Sequence, residues 1–557
     1  TGFTGTIVLD SPSHLAVEKL DALGASEIKN EGTLHLNLDA DEGWNEVALV
    51  TRSAGSRKLT GSGNVIKTGK GVLTLHSNYA SEGTTTIEQG GAISGTAEDP
   101  LNLAASFDVR KEAYLQAFGS INNLTNAGTV YLNGIDAKKT TESKLTVNGD
   151  FVGKGGTLVF DADLASDTNS HQNTLLVKGN ATGNGFIRVN NLDGKGAQTQ
   201  EGITLVSIEG NSNVSFLLDG AAKAGAYDYL LMNSADNKRW YLNSVNRRVR
   251  SEAGTYIGLA IAAEQMNMRL HDRMGQAYVV DPQSGELRQA AGWVRQLASH
   301  SRFSTEGEKT RLSTSVTQLG MDALRFKPSA ETNAVAGFYA GGLYGKSKTR
   351  AASFSKGKID GFALGVYGTF YTGADADDGF YTDTWLQYGR YDNRITGEDP
   401  ELKFRSHGFT FSVETGYSFK LAKTGTQKET DFIIQPQAQL IVTDLKNNSV
   451  SDTHGYKFKQ LGKNNATVRL GARFMVKQDT KLTAFVEGNW LHNTKKAGVQ
   501  MGTEGVYMSG GKNTGEIRLG AEGSLSRNLK GWVSGSFRAG QSGYHTESAQ
   551  VGLKLLF

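Results

Sequence analysis

The last ten residues, Ser548–Phe557, read SAQVGLKLLF. Val551, Leu553, Leu555 and Phe557 fall on one face of an extended strand. Gly552, Lys554 and Leu556 fall on the other. Two kinds of sheet end in this way. In one, the apolar face lines a soluble core. In the other, it meets lipid and its opposite face lines a polar lumen. The preceding strands have to choose between them.

Of 49 aromatic residues, 32 lie after residue 290, and the strands there lengthen to about ten residues, the span of a tilted membrane strand. From Ser406, one face carries His407, Phe409, Phe411, Val413, Thr415, Tyr417 and Phe419. The other carries Gly408, Thr410, Ser412, Glu414 and Gly416. Gln435, Gln437 and Gln439 alternate with Ile434, Pro436, Ala438 and Leu440. Arg469 and Arg473 alternate with Val468, Leu470 and Phe474. Glu516, Arg518 and Arg538 recur in the same way among Ile517, Leu519 and Phe537, and Glu487 sits mid-strand. Large polar groups beside Gly and Ser fit a polar lumen better than bulk water. Tyr and Trp near strand ends fit interfacial girdles. Strand starts fall near 291, 310, 332, 358, 378, 402, 428, 466, 481, 513, 529 and 546. That makes about twelve strands, an even number that returns both barrel ends to one side. Asp452–Leu461 reads as either a further strand or a long outer loop.

Composition narrows the function. The 557 residues hold 69 Gly, 6 Pro and no Cys, which excludes a disulfide framework and Cys-based metal sites. Absence of Cys fits a chain that crosses an oxidising compartment unfolded, and chance gives the same count. Net charge is +3 with no Lys/Arg block, so nucleic acid is not implied. No segment has the roughly 20 apolar residues of a membrane helix, and an alternating barrel strand would not show on such a scan. The chain opens at Thr1 without Met or signal peptide, which reads as a mature or trimmed product. AGGLYGKS, Ala340–Ser347, approaches a P-loop, but its first position is Ala and it sits in a strand. Gly-x-Ser-x-Gly is absent, and no His pair has metal-ligand spacing on a helix. The expectation is therefore no catalytic residue, no cofactor and no metal.

Residues 1–244 have another rhythm. GTLHLNL from Gly32, GVLTLHS from Gly71, NAGTVYLNG from Asn126 and KLTVNG from Lys144 each put a few alternating apolar residues before Asn, Gly or Asp. This reads as a β-solenoid; an antiparallel sandwich gives similar local signals. Between the halves, SEAGTYIGLAIAAEQMNMRLHDRMGQA, Ser251–Ala277, is the best helix in the chain, with Ser251 as cap. About 24 helical residues span about 36 Å, enough to cross a bilayer. Placed before a barrel, it predicts a lumen helix whose Glu264, Arg269 and Arg273 meet charges on the wall; a surface linker helix is the alternative.

GSGNVIKTGKGVLTLHSNYASEGTTTIEQGGAI, Gly61–Ile93, resembles the passenger-associated transport repeat. LTVNGDFVGKGGTLVF, NTLLVKGNATGNGFIRVNN, EGITLVSIEG, AGAYDYLLMN and RWYLNS, within 143–244, resemble an autochaperone-type passenger end. With the strands after 289, the chain resembles a type Va autotransporter of Gram-negative bacteria with an AIDA/pertactin-like stem. The resemblance implies an all-β fold: a right-handed parallel β-helix, then a pore-plugging α-helix and a 12-stranded antiparallel transmembrane β-barrel. It implies segments 1–142 (passenger β-helix, repeat 61–93), 143–244 (autochaperone-like end), 245–288 (linker, lumen helix about 252–277) and 289–557 (translocator barrel). Val551, Leu553, Leu555 and Phe557 would be the assembly signal.

Implied partners are outer-membrane lipid, the barrel-assembly machinery and periplasmic chaperones, with a host-cell or sister-cell surface ligand for the passenger. Residues 1–244 would lie outside the cell. The implied function is secretion and display of the chain's own passenger, an adhesin or self-association factor. The alternative is display of a serine protease or esterase lying upstream of Thr1. Some such families cleave themselves in the pore between paired asparagines. Asn243 and Asn246 are separate here, so cleavage assisted by a carboxylate such as Glu414 or Glu487 stands against simple retention.

Overall fold

Twelve antiparallel strands close into a barrel in the computed structural model, which describes residues 3–44, 56–134, 142–244, 249–274, 291–350, 353–373, 377–397, 399–424, 429–453, 455–478 and 482–557. They are β1 (Ala291–Thr305), β2 (Glu308–Ser329), β3 (Thr332–Arg350), β4 (Phe354–Tyr371), β5 (Gly379–Thr396) and β6 (Leu402–Thr424), followed by β7 (Thr430–Asn447), β8 (Asn465–Gln478), β9 (Leu482–Asn493), β10 (Asn513–Ser524), β11 (Leu529–Gly540) and β12 (His545–Leu556). The chain divides into two units, Thr1–Arg248 and Val249–Phe557.

The terminal strand closes the barrel. β12 pairs with β1 from Ala291↔Leu556 to Arg302↔His545. Val551, Leu553, Leu555 and Phe557 point outward, 40 to 59% exposed, while Lys554 and Leu556 are buried. The same parity runs through β6, where Phe409, Phe411, Val413 and Tyr417 are exposed and Thr410, Ser412, Glu414 and Ser418 are buried. Alternation thus sets one face for lipid and one for the lumen. The strands are longer than the expected ten residues, reaching 22 in β2 and 23 in β6, because several extend past the apolar band. The stretch after β7 is neither a barrel strand nor a plain loop. Val450–Ser451 and Lys457–Leu461 join Gly498–Met501 and Glu504–Tyr507 in a separate four-stranded sheet.

Three of the four barrel tryptophans overturn the girdle expectation. Trp293, Trp385 and Trp532 face inward and are 1 to 5% exposed, clustered with Tyr339, Tyr367, Tyr371 and Tyr381; Trp490 alone among these four is exposed, at 45%. Most of their polar tips find partners inside, as buried Trp and Tyr require, although the Trp532 indole N–H finds none among the described residues. Trp293 Nε1 donates to Tyr367 Oη at 3.0 Å, and Tyr339 Oη donates to Gln387 at 3.0 Å.

The unit before residue 249 is a parallel β-helix. Successive rungs stack Leu34, Val65, Thr85, Phe107, Leu124, Phe151 and Ala181 in register. A second inward ladder runs Leu73, Ala92, Leu115, Val130, Leu158 and Ile187, all fully buried. Parallel pairing rules out the antiparallel sandwich. Antiparallel pairing appears at the end of the stack, where Ile203–Ile208, Arg239–Asn243 and Tyr227–Asn233 lie side by side. Glycines turn the corners of the transport-type repeat: Gly69 has φ +79°, and a Cβ on Gly71 would lie 2.0 Å from the Ala40 carbonyl oxygen.

Lys67 of the same repeat is fully buried. Its ammonium donates to the carbonyls of Gly69 (2.7 Å), Gly71 and Gln89 (3.0 Å), tying one rung to the next corner. Burial pushes its pKa down to about 8, against the pull of Asp41 and Asp39. Between pH 8 and the ordinary value of 10.5 the unfolded stem therefore binds more protons than the folded one, and stability rises with pH across that window. We expect Lys67→Met to abolish this rise and, by stranding three carbonyls, to cost about 3 kcal/mol; urea unfolding of the stem, followed by proteolysis at pH 7 and pH 10, checks both.

Candidate functional site: the filled barrel lumen

The segment after Val249 runs down the lumen. It is not the single helix of about 24 residues that its composition predicts. Helix α1 covers Ser251–Ala262, and a 3₁₀ turn follows at Ala263–Met266. Asn267 is extended (φ −67°, ψ 145°), and one further helical turn, α2, spans His271–Met274. The helix is about 18 Å long. It stops where the wall takes over its carbonyls. Gln318 Nε2 donates to Met266 O at 2.9 Å. Met268 O accepts from Trp385 Nε1 (3.0 Å) and Gln439 Nε2 (2.9 Å). These bonds replace helical ones, so unwinding leaves no buried carbonyl of this pair unmet. The predicted helical residues 275–277 lie outside the described residues.

Small residues let α1 approach the wall. A Cβ on Gly258 would lie 2.3 Å from Ser347 Oγ, and one on Gly254 would lie 2.4 Å from Thr310 Oγ1. The P-loop-like stretch Ala340–Ser347 is therefore mid-β3 wall, with Ser347 buried against the helix. At the outer end, Arg250 pairs with Asp452 (2.7 Å) and Asp399 (2.9 Å). Tyr256 stacks on Phe404 at 4.9 Å and accepts from Asn447 Nδ2 at 2.9 Å.

Below the helix, charges join plug to wall. Arg269 meets Glu487 at 2.8 Å and Glu516 at 2.5 Å. Asp272 meets Arg518 (2.6 Å), Arg295 (3.0 Å) and Gln550 (2.9 Å). Arg273 pairs with Asp383 and lies 4.2 Å from the centre of the Tyr367 ring. His271 Nε2 and Gln435 Oε1 are 2.9 Å apart. The wall also pairs with itself. Arg469 reaches Glu414 (3.1 Å), Glu487 (3.3 Å), Gln439 (3.0 Å) and Gln437 (2.9 Å), and Arg473 pairs with Glu522.

The predicted lumen residues thus converge, with two exceptions. Arg538 stands apart from this cluster, donating to Thr514 Oγ1 at 2.7 Å. Glu264 is exposed to an outer chamber that Arg538 also lines, and it has no ion pair among the described residues. Sequence reasoning missed Asp272, Arg295, Asp383 and the aromatic floor. Parity held the signal for the last two: Tyr381, Asp383, Trp385 and Gln387 share one face of β5. Glu414 is engaged by the Leu270 amide (3.1 Å) and the Tyr381 hydroxyl (2.8 Å) as well as Arg469. Ser244 is buried, its hydroxyl donating to Ala197 O, while Asn246 lies outside the described residues.

A closed barrel with an apolar exterior and a lumen filled by its own chain defines an outer-membrane β-barrel of the translocator class. Comparisons agree. The autotransporter beta-domain model matches residues 292–536, and the autochaperone domain type 1 model matches 119–231. The uncharacterized Escherichia coli protein YdeU is 32% identical, over 74% of this chain and 97% of its own. YuaQ, also uncharacterized and from Escherichia coli, is 33% identical over 96% of this chain and 41% of its own. The Escherichia coli autotransporter adhesin AIDA-I is 30% identical over 75% of this chain and 34% of its own. The crystal structure of the AIDA-I transport unit matches with a TM-score of 0.50 at 26% identity, over 55% of this chain and 99% of that one. The chain belongs to the autotransporter family. Its barrel lies in the outer membrane, with residues 1–244 on the extracellular surface. It spans 41% of YuaQ and 34% of AIDA-I.

Removing one partner of a buried ion pair costs about 3–5 kcal/mol. Arg269→Ala, which leaves Glu487 and Glu516 without their plug partner, should loosen the plug. In planar bilayers the variant should conduct in long openings where the parent chain is closed. Gly258→Leu, which forces α1 off β3, should do the same.

Proposed function

We propose that this chain is a secretion and display device: the barrel inserts in the outer membrane and mediates export of its own amino-terminal passenger. The observation that carries the reading is the direction of the lumen segment. Arg250 lies among the long loops at one end of the barrel, and Arg273 beside Thr369 and Asp383 lies toward the end where β1 begins and β12 finishes. A chain threaded in that sense meets the lumen at its outer end at Val249, as export of an amino-terminal passenger requires.

The order of events follows. The barrel-assembly machinery takes up the terminal strand through Val551, Leu553, Leu555 and Phe557, with periplasmic chaperones holding the unfolded passenger. Residues 143–244 fold first outside and template residues 1–142; residues 245–288 remain as linker and plug within 289–557. Folding supplies the pull. The antiparallel end is suited to nucleate: Tyr229 Oη is buried and bonded to Ala165 O (2.9 Å) and Ala197 O (3.0 Å), gathering separate turns of chain.

The passenger acts in adhesion or self-association and is not an enzyme, a reading supported by the relative named as an adhesin. It stays attached, because Glu414 and Glu487 are both committed to arginines; intact mass of the outer-membrane species should equal the uncleaved chain.

Two experiments test the export reading. Protease added to whole cells should shave residues 1–244 and spare the barrel. Deleting Phe557 should lower assembled barrel and surface passenger together, by tenfold or more on quantitative blots. If Tyr229→Ala with Trp240→Ala leaves surface display at the parental level, folding is not the pull.

A further inference from the structure

The outer ends of β1–β6 carry an unusual charge pattern. Arg302 of β1 lies directly opposite Arg311 of β2, Arg311 opposite Lys348 of β3, and Lys348 opposite Lys356 of β4. In the neighbouring row, Lys346 of β3 is opposite Lys358 of β4, Lys358 opposite Arg394 of β5, and Arg394 opposite Lys403 of β6. All of these side chains are exposed. They alternate with buried lumen residues such as Ser347, Thr349, Ser355, Ile359 and Asn393, so they point away from the pore.

Like charges directly opposite each other destabilise an antiparallel pair. Here six such pairs adjoin, at a strand spacing of about 5 Å. Glu401, 2.8 Å from Lys403, answers one end of one row. The next row toward the membrane sets Asp360 of β4 opposite Asp392 of β5, which pairs with Arg405 of β6 at 2.9 Å. The upper row, Arg302–Arg311–Lys348–Lys356, has no carboxylate directly opposite any of its cations in the register. The other half of the rim is built differently: Lys446 of β7 has Asp444 at 3.0 Å, and His492 of β9 bonds Asn513 of β10. The rows also have a defined height. In β4 the exposed apolar run Phe362, Leu364 and Val366 begins about 13 Å along the strand from Lys358. Lys346 and Lys356 lie 5.5 and 5.1 Å from the ring centres of Tyr344 and Phe354, which are themselves partly exposed. The cations therefore stand just beyond the hydrocarbon band, at headgroup level, between the Tyr344 ring on the membrane side and the Phe354 ring on the outer side.

We propose that this half-rim binds the phosphate groups of an anionic glycolipid in the outer leaflet. Closely spaced guanidinium and ammonium groups suit phosphate oxygens. A lipid held at this level would turn mutual repulsion between the strands into shared attraction. Zwitterionic lipid offers each cation a phosphate cancelled by its own ammonium, and so satisfies the rows poorly.

The test uses the full chain in phosphatidylcholine vesicles, with and without lipopolysaccharide or dephosphorylated lipopolysaccharide, and reads the unfolding midpoint by heat-dependent gel mobility. Phosphorylated lipopolysaccharide should raise the midpoint by about 5 °C, and the dephosphorylated form should not. The variant Arg311→Gln, Lys348→Gln, Lys358→Gln, Arg394→Gln should lose the rise while unfolding no lower than the parent in phosphatidylcholine alone. The milder Lys348→Gln, Lys358→Gln pair should lose part of it. An inner-end control, Lys420→Gln with Lys423→Gln, should keep it. An undiminished rise in the fourfold variant, or an equal rise with dephosphorylated lipid or with inorganic phosphate alone, would overturn the proposal.

Discussion

Everything in the membrane unit depends on one requirement: charges taken out of water inside the barrel must be matched there. An unpaired ion in a confined, low-dielectric space is far costlier than one at a surface. Arg269, Arg295, Arg469, Arg473 and Arg518 are met by Glu414, Glu487, Glu516, Glu522 and Asp272. The plug supplies Arg269 and Asp272, so seal and wall complete one network. The aromatic floor does the complementary work: Met268 and Leu270 are buried against Trp293, Trp385 and Tyr381, giving an apolar layer beside the polar one.

Much of this was legible in the chain. Period-two alternation fixes which residues face inward, and Glu414, Gln435, Gln437, Gln439, Arg469 and Arg473 were visible on that ground alone. The strand starts followed from the same signal. Local propensity misled at the helix, where Met, Arg and Leu after Met266 favour helix, while the wall's Gln318, Trp385 and Gln439 compete for the same carbonyls. No local signal registers that competition, because the competitors lie 50 to 170 residues away. The tryptophans misled for a related reason. Aromatic residues in a membrane barrel suggest girdles on average, yet Trp385 shares its face with Asp383 and Gln387, and parity outranks composition.

The stem shows the opposite balance. Its ladders use short strands whose individual signals are weak, and a sandwich fitted them locally as well as a helix of rungs did. What decides the matter is stacking between distant turns, such as Leu34 on Val65 or Phe107 on Leu124. The glycine corners and buried Lys67 in the repeat reveal a parallel stack only once neighbouring rungs are in place, since the ammonium ties a strand to carbonyls of two different turns.

The self-paired wall has a consequence for transport. Arg469 with Glu414, and Arg473 with Glu522, are satisfied within the barrel. A lumen of this kind has little adhesive demand left over, so an unfolded polypeptide can slide past it without being caught at every charged residue. The positions that receive Arg269, Asp272 and Arg273, with those that receive Arg250 at the outer end, stay open until the end. The wall is a low-friction bearing with one set of detents, and the chain carries the matching teeth in its final stretch. Where export stops is then written in the cargo's own tail, and no separate latch is required.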